Sequence, residues 1–125
     1  MTLTLQVLGG DYTIHRFPPD IALPAEVWGS SFLSITKTEE ELSVVCEASI
    51  PLQSTEREEG WCCIKVLGPL DFSLTGILAK LSGVLAEAKI SIFAVSSYDT
   101  DYLLLPCTRL SKARDLLIEA GYQIL

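Results

Sequence analysis

Apolar and polar residues alternate along residues 3–8 and again along residues 12–17, a pattern typical of half-buried β-strands. The Gly-Gly-Asp segment between them favours a turn, so we expect these two strands to form a hairpin. One helical turn is expected near residues 24–28, and apolar, β-branched residues then predict strands at 32–36 and 42–46. The first part of the chain is therefore expected to be rich in strands and poor in helix.

The second part of the chain shows a regular alternation of strands and helices. Its first helix carries apolar residues at i, i+3, i+4 and i+7, with Asp71 or Ser73 as the expected N-cap. A second helix is expected to be capped by Ser111 and to end at Gly121. The expected order is strand, helix, strand, strand, helix, strand, over residues 61–67, 73–88, 90–95, 102–105, 111–120 and 122–125.

This βαββαβ order is that of a ferredoxin-like unit, an antiparallel sheet with two helices on one face. Residues 50–60 include a charged run, Glu56 to Glu59, and are expected to form a solvated loop between the halves. We therefore predict an α+β fold of two tandem ferredoxin-like units. Residues 1–60 form the degenerate, helix-poor unit, and residues 61–125 form the complete one.

The charge of the chain argues against two classes of partner. The formal net charge is −7, and a field of that sign repels nucleic-acid phosphates and anionic membranes. No segment approaches the roughly 18 apolar residues of a transmembrane helix. We predict neither a nucleic-acid nor a membrane partner, although Trp61 and Tyr102 are aromatic residues on expected strands.

The four cysteines are expected to be reduced thiols. Cys46, Cys62, Cys63 and Cys107 contain no C-x-x-C pair, and adjacent residues of a strand point to opposite faces. The first ten residues carry neither lysine nor arginine and do not resemble a secretory signal. Together these features predict a cytoplasmic protein.

Residues for catalysis are scarce. The single histidine, His15, is expected at the sheet surface, and neither a nucleophilic triad nor a metal-ligand cluster is visible. We predict that the chain is not an enzyme and holds no cofactor or metal. Asp99 and Asp101 are two residues apart, which suits acid–base chemistry, cation binding or simply a solvated turn.

Residues 68–76 lead from a strand into the start of a helix. The first turn of a helix has unpaired N–H groups that suit a carboxylate, although ordinary capping explains the same residues.

Residues 68–78 and 85–104 resemble an ACT domain, and more closely the ACT units of aspartate kinases and of animal cytosolic arginine sensors. The resemblance lies in GPLDFSLTGIL and in LAEAKISIFAVSSYDTDYLL. Residues 32–45, FLSITKTEEELSVV, resemble the same sensors more faintly. The resemblance implies a small stand-alone, non-catalytic regulatory module.

In that family the ligand is a free amino acid between two ACT units, which together with uncovered sheet edges predicts a homodimer. Any regulation is expected to act through another protein, such as a regulated enzyme. Matched motif to motif, the resemblance implicates as ligand-binding residues Leu70, Asp71, Phe72, Leu74, Thr75, Gly76, Phe93, Ser96, Ser97, Thr100 and Asp101.

An alternative function is a protein-interaction or dimerisation module with a vestigial ligand site. In that case Leu103, Leu104 and the helix faces would build the interface.

Overall fold

The computed structural model describes residues 3–68, 70 and 75–125. The chain divides into two compact units, which are described separately. The inserted unit comprises Gly10–Trp61, and the discontinuous unit comprises the described residues of Met1–Gly9 and Cys62–Leu125. This division groups residues 1–9 with the C-terminal half, whereas the sequence analysis grouped them with residues 10–60.

The inserted unit is an antiparallel sheet with one 3-10 helix, Ala25–Gly29. Its strands are β2 Tyr12–Phe17, β3 Ser34–Lys37, β4 Leu42–Glu47 and the first part of β5 Glu56–Val66. They lie in the order β3-β4-β2-β5. Val44 and Cys46 lie on one face of β4 and pack with Phe17, Val27 and Leu52 in the core, and Val45 between them is buried as well.

The discontinuous unit contains the predicted βαββαβ order, with one additional strand. Besides the second part of β5 it consists of β1 Thr4–Val7, α1 Ile77–Glu87, β6 Phe93–Ser96, β7 Asp101–Pro106, a 3-10 helix Cys107–Arg109, α2 Leu110–Glu119 and β8 Gln123–Ile124. Its strands lie in the order β8-β1-β5-β7-β6, so β1 lies between β8 and β5. The strand β1 is parallel to β8 and antiparallel to β5.

Both helices pack one apolar face against this sheet. Leu81 and Leu85, one turn apart on α1, are fully buried, as are Ala113 and Leu117 on α2. The predicted end of α2 is confirmed, since Gly121 has φ +105° and the Tyr122 N–H donates to the Leu117 carbonyl. Ser111 lies inside α2 and is not its cap, because a 3-10 turn leads into the helix and makes Arg109 the N-cap residue.

The predicted hairpin of the first two strands is wrong. The strand β1 pairs with residues 64–66 of β5, whereas β2 pairs with residues 56–61. The strands β1 and β2 therefore pair with different parts of the same 11-residue strand, β5. The charged run from Glu56 to Glu59 is likewise strand and not loop, although its side chains are exposed. Solvated side chains do not prevent a strand whose backbone is paired.

His15 is buried and not at the sheet surface, and its ring stacks beside that of Phe17. Its Nδ1 lies 2.6 Å from the Ser54 hydroxyl. Burial, with a smaller contribution from the Arg57 charge, lowers the pKa of His15 below its ordinary value of 6.5. Leu103 and Leu104 are also fully buried within the chain, so they cannot build a dimer interface.

The prediction of four reduced thiols is wrong for one pair. Cys62, in the second half of β5, forms a disulfide with Cys107, directly after β7. Because β5 and β7 are neighbours in the sheet, residues far apart in sequence meet there. Cys46 and Cys63 are free and buried, and burial raises the pKa of the Cys63 thiol to about 12.

Candidate functional site

A hydrogen-bonded turn connects β6 to β7. The Ser97 N–H donates to the Thr100 carbonyl at 2.8 Å, and the Ser97 hydroxyl accepts from the Thr100 N–H at 3.3 Å. A serine at the start of a turn commonly bonds its own backbone in this way. The turn therefore holds Tyr98 and Asp99 at its tip, where both side chains are exposed.

Two hydrogen bonds connect this turn to the main chain at the end of β5 and just after it. The buried Thr100 hydroxyl donates to the Val66 carbonyl at 2.5 Å, and the Leu70 N–H donates to the Asp99 carbonyl at 2.7 Å. A Cβ at Gly68 would lie 2.9 Å from the Leu70 nitrogen and 3.1 Å from the Asp99 oxygen. Only glycine fits this close backbone approach without displacement.

The Ser96 hydroxyl donates a hydrogen bond of 2.6 Å to the Asp101 carboxylate. These two residues are a cross-strand pair, at the end of β6 and the start of β7. Cross-strand neighbours on one face of a sheet lie close enough for such a bond. The bond orients the half-buried Asp101 carboxylate at the edge of the turn.

The start of α1 forms the facing element. Gly76 is its N-cap residue, with φ +78° and no side-chain cap, and the Lys80 N–H makes the first helical bond, to the Gly76 carbonyl. The N–H groups of Ile77 and Leu78 precede that bond and have no partner within the helix. The helix begins later than residue 73, and the expected caps Asp71 and Ser73 lie outside the described residues.

A cavity of about 300 Å³ lies between the helix start and the turn, within the discontinuous unit. Carboxylates and hydroxyls from the turn form one side, and apolar side chains form the other. Among the described residues that line it there is no lysine, arginine or histidine. Its lining consists of Leu70, Gly76, Ile77, Leu78, Ser96, Ser97, Tyr98, Asp99, Thr100 and Asp101.

Two of the described candidate residues do not line this cavity. Thr75 is exposed just before the helix, and Phe93 is half-buried at the start of β6, opposite Leu104. The candidates Asp71, Phe72 and Leu74 lie outside the described residues. The structure brings together the other candidates, namely Leu70, Gly76, Ser96, Ser97, Thr100 and Asp101.

Four lining residues were not among the candidates. Ile77 and Leu78 fitted the apolar stripe of the helix and were assigned to its core. Tyr98 and Asp99 lie at the tip of the turn. The spacing of Asp99 and Asp101 already pointed to paired carboxylates, which was the available signal for Asp99.

Family comparison gives two matches along the chain. The model of the ACT domain matches residues 56–119, and the model of an N-terminal domain matches residues 10–53. The chain is 30% identical over 101 residues to a Pongo abelii protein named cytosolic arginine sensor for mTORC1 subunit 1. That match covers 74% of this chain and 31% of the relative, so the chain spans about a third of the length of the arginine sensors it matches.

Solved structures share the fold. A crystal structure of an Agrobacterium tumefaciens protein superposes with a TM-score of 0.91 and 39% identity, covering 100% of this chain and 93% of that one. An aspartate kinase from Clostridium acetobutylicum superposes with a TM-score of 0.68 and 14% identity, covering 90% of this chain and 33% of the kinase.

Among the described residues, no helix is long and apolar enough to cross a bilayer.

Proposed function

Because this chain belongs to the ACT domain family, we propose that it is a non-catalytic regulatory module that binds a free amino acid. The observation that carries the proposal is the 300 Å³ cavity between the start of α1 and the 97–100 turn. Its size is at the lower end of small-molecule sites, which suits a ligand as small as one amino acid.

The chemistry of the cavity matches both ends of such a ligand. The N–H groups of Ile77 and Leu78, at the positive end of the helix dipole, suit the α-carboxylate. The Asp101 carboxylate, with Asp99 two residues before it, suits an ammonium group or a basic side chain. The absence of a cation among the described lining residues leaves these carboxylates available to a cationic group.

The family and its relatives support a regulatory role. The matched relatives are named as cytosolic sensors of arginine, and we propose an amino-acid sensor here too. In our proposal the ligand changes how the module engages a second protein, such as a regulated enzyme. We also propose that the module works as a homodimer.

Thermal unfolding with each of the twenty amino acids tests the proposal. An amino acid at 100 times its dissociation constant should raise the free energy of unfolding by about 2.7 kcal/mol. The Asp101→Ala variant should lose this gain, whereas Asp115→Ala, which removes an exposed carboxylate on α2, should keep it. No stabilisation by any amino acid would contradict the proposal and favour an interaction module with a vestigial site.

A further inference from the structure

The two helices of the discontinuous unit form a second, larger depression. It has a volume of about 830 Å³, and its charged residues are exposed, whereas Val84, Ala88, Leu116 and Tyr122 are half-buried and also pack against the core of this unit. One wall comes from α1 and the other comes from α2 and Tyr122. We call this surface the helix groove. It shares no lining residue with the cavity at the 97–100 turn.

The α1 wall of the groove has a symmetric arrangement of residues. It consists of Ala79, Lys80, Gly83, Val84, Glu87 and Ala88, which lie on one helical face at spacings of four. The arrangement is centred between Gly83 and Val84. At equal distances on either side of this centre, Ala79 corresponds to Ala88 and Lys80 corresponds to Glu87. A second α1 that packs antiparallel about an axis through this point therefore meets the same set of residues in reverse.

The charges of the wall match under that rotation. Lys80 of one chain faces Glu87 of the second copy, and the reverse pair forms on the other side of the axis. The α2 wall repeats the spacing, with Lys112 and Glu119 seven residues apart. The groove thus carries two positive and two negative charges, so two copies can approach here although each chain has a net charge of −7.

The shape of the wall permits a close approach. Gly83 is exposed, and a Cβ placed on it would meet nothing within 4 Å. A small residue at a helix crossing lets the two backbones come together, and the half-buried Val84, Leu116 and Tyr122 supply apolar area beside it. Antiparallel packing also aligns the two helix dipoles favourably.

From this combination we infer that the helix groove is a docking surface for a second copy of the chain, through antiparallel α1–α1 packing about an axis between Gly83 and Val84. The inference names the surface of the proposed homodimer, and it does not require the amino-acid cavity to be occupied.

Charge reversal with rescue tests the inference. Sedimentation velocity without ligand, over micromolar concentrations, should give twice the 13.7 kDa mass for the natural chain. Lys80→Glu or Glu87→Lys alone should raise the dissociation constant of the dimer about tenfold or more. Because the dimer is symmetric, each single substitution makes both Lys80–Glu87 pairs repulsive. The double variant Lys80→Glu/Glu87→Lys should restore it, and Lys37→Glu, on β3, serves as the control for net charge.

A second variant tests the close approach itself. Gly83→Leu should leave α1 helical, because leucine favours helix, while blocking the crossing.

A natural chain that stays at 13.7 kDa would overturn the inference. The inference would also be overturned if Lys80→Glu and Glu87→Lys each changed the dissociation constant no more than Lys37→Glu does, or if the double variant Lys80→Glu/Glu87→Lys stayed monomeric. A dimer that binds no amino acid would overturn the proposed amino-acid binding and leave this inference standing. A monomer that binds an amino acid would overturn this inference and the proposed homodimer, and would leave the amino-acid binding standing.

Discussion

The side-chain hydroxyl of Thr100 donates a hydrogen bond of 2.5 Å to the main-chain carbonyl of Val66. Thr100 is buried, so Thr100→Val would remove a buried hydrogen bond from that carbonyl while nearly conserving volume. We expect the free energy of unfolding to fall by about 1–3 kcal/mol. Chemical denaturation measures this, with Thr108→Val, at an exposed position of the 3-10 helix, as the control. An equal effect of both variants would contradict the role of this bond.

Gly68 should be intolerant of a side chain. In Gly68→Ala the Cβ would meet the main chain at Leu70 and Asp99, at 2.9 and 3.1 Å, and a main chain cannot rotate away. We expect a loss of stability of about 1–3 kcal/mol and weaker amino-acid binding, since the same turn lines the cavity. Gly29→Ala, where a Cβ meets nothing within 4 Å, should change neither. Unchanged thermal unfolding of Gly68→Ala would contradict the close approach.

The helices and strands of the second half could be predicted from the sequence because they depend on local patterns of residues. The apolar stripe of α1 and the Gly121 stop depend on spacing within one helix, and both agree with the structure. The position of β1 between β8 and β5 depends on pairing across more than a hundred residues, which no local pattern encodes. The failed hairpin has the same origin.

The candidate site was partly readable for the same reason. The polar turn residues from Ser96 to Asp101 stand out in the sequence between apolar strands. The contributions of Ile77 and Leu78 depend on where α1 begins, and the boundary of a helix is less certain than its existence. The Cys62–Cys107 contact requires knowing that β5 and β7 are neighbours.

The disulfide predicts a redox-dependent stability. It closes a loop over a sequence separation of 45 residues. Constraint of the unfolded chain by such a loop is worth about 4 kcal/mol, so reductant should lower the free energy of unfolding by up to that amount. Thiol titration of the unreduced, unfolded protein should find only Cys46 and Cys63, and neither should react in the native state near neutral pH, where burial raises their pKa values to about 11 and about 12.

Reductant should have no effect on the stability of Cys107→Ala, which cannot form the bond. Four reactive thiols in the unreduced, unfolded protein, or a denaturation midpoint of the natural chain that ignores reductant, would contradict the pairing.

His15 predicts a loss of stability in mild acid. Its native pKa lies below 6.5, so the unfolded chain takes up a proton that the native protein does not as the pH falls below 6.5. The stabilisation is complete above that pH and is lost as the pH drops towards the native pKa, with a slope of up to about 1.4 kcal/mol per pH unit. Because His15 is the only histidine, His15→Gln should remove this slope. Identical pH profiles of the two proteins would contradict the burial of a neutral ring.

Isothermal titration of the natural chain, Asp101→Ala and Asp115→Ala with whichever amino acid stabilises the protein most tests the central claim. Removal of the Asp101 carboxylate, which accepts a hydrogen bond from Ser96 at the cavity edge, should weaken binding by about tenfold or more, because charge-assisted bonds contribute about 1.5–3 kcal/mol. Asp115→Ala should bind like the natural chain, and both variants should unfold near the same temperature without ligand. Unchanged affinity in Asp101→Ala, with a large loss of stability, would show that Asp101 serves the turn and would contradict the amino-acid site.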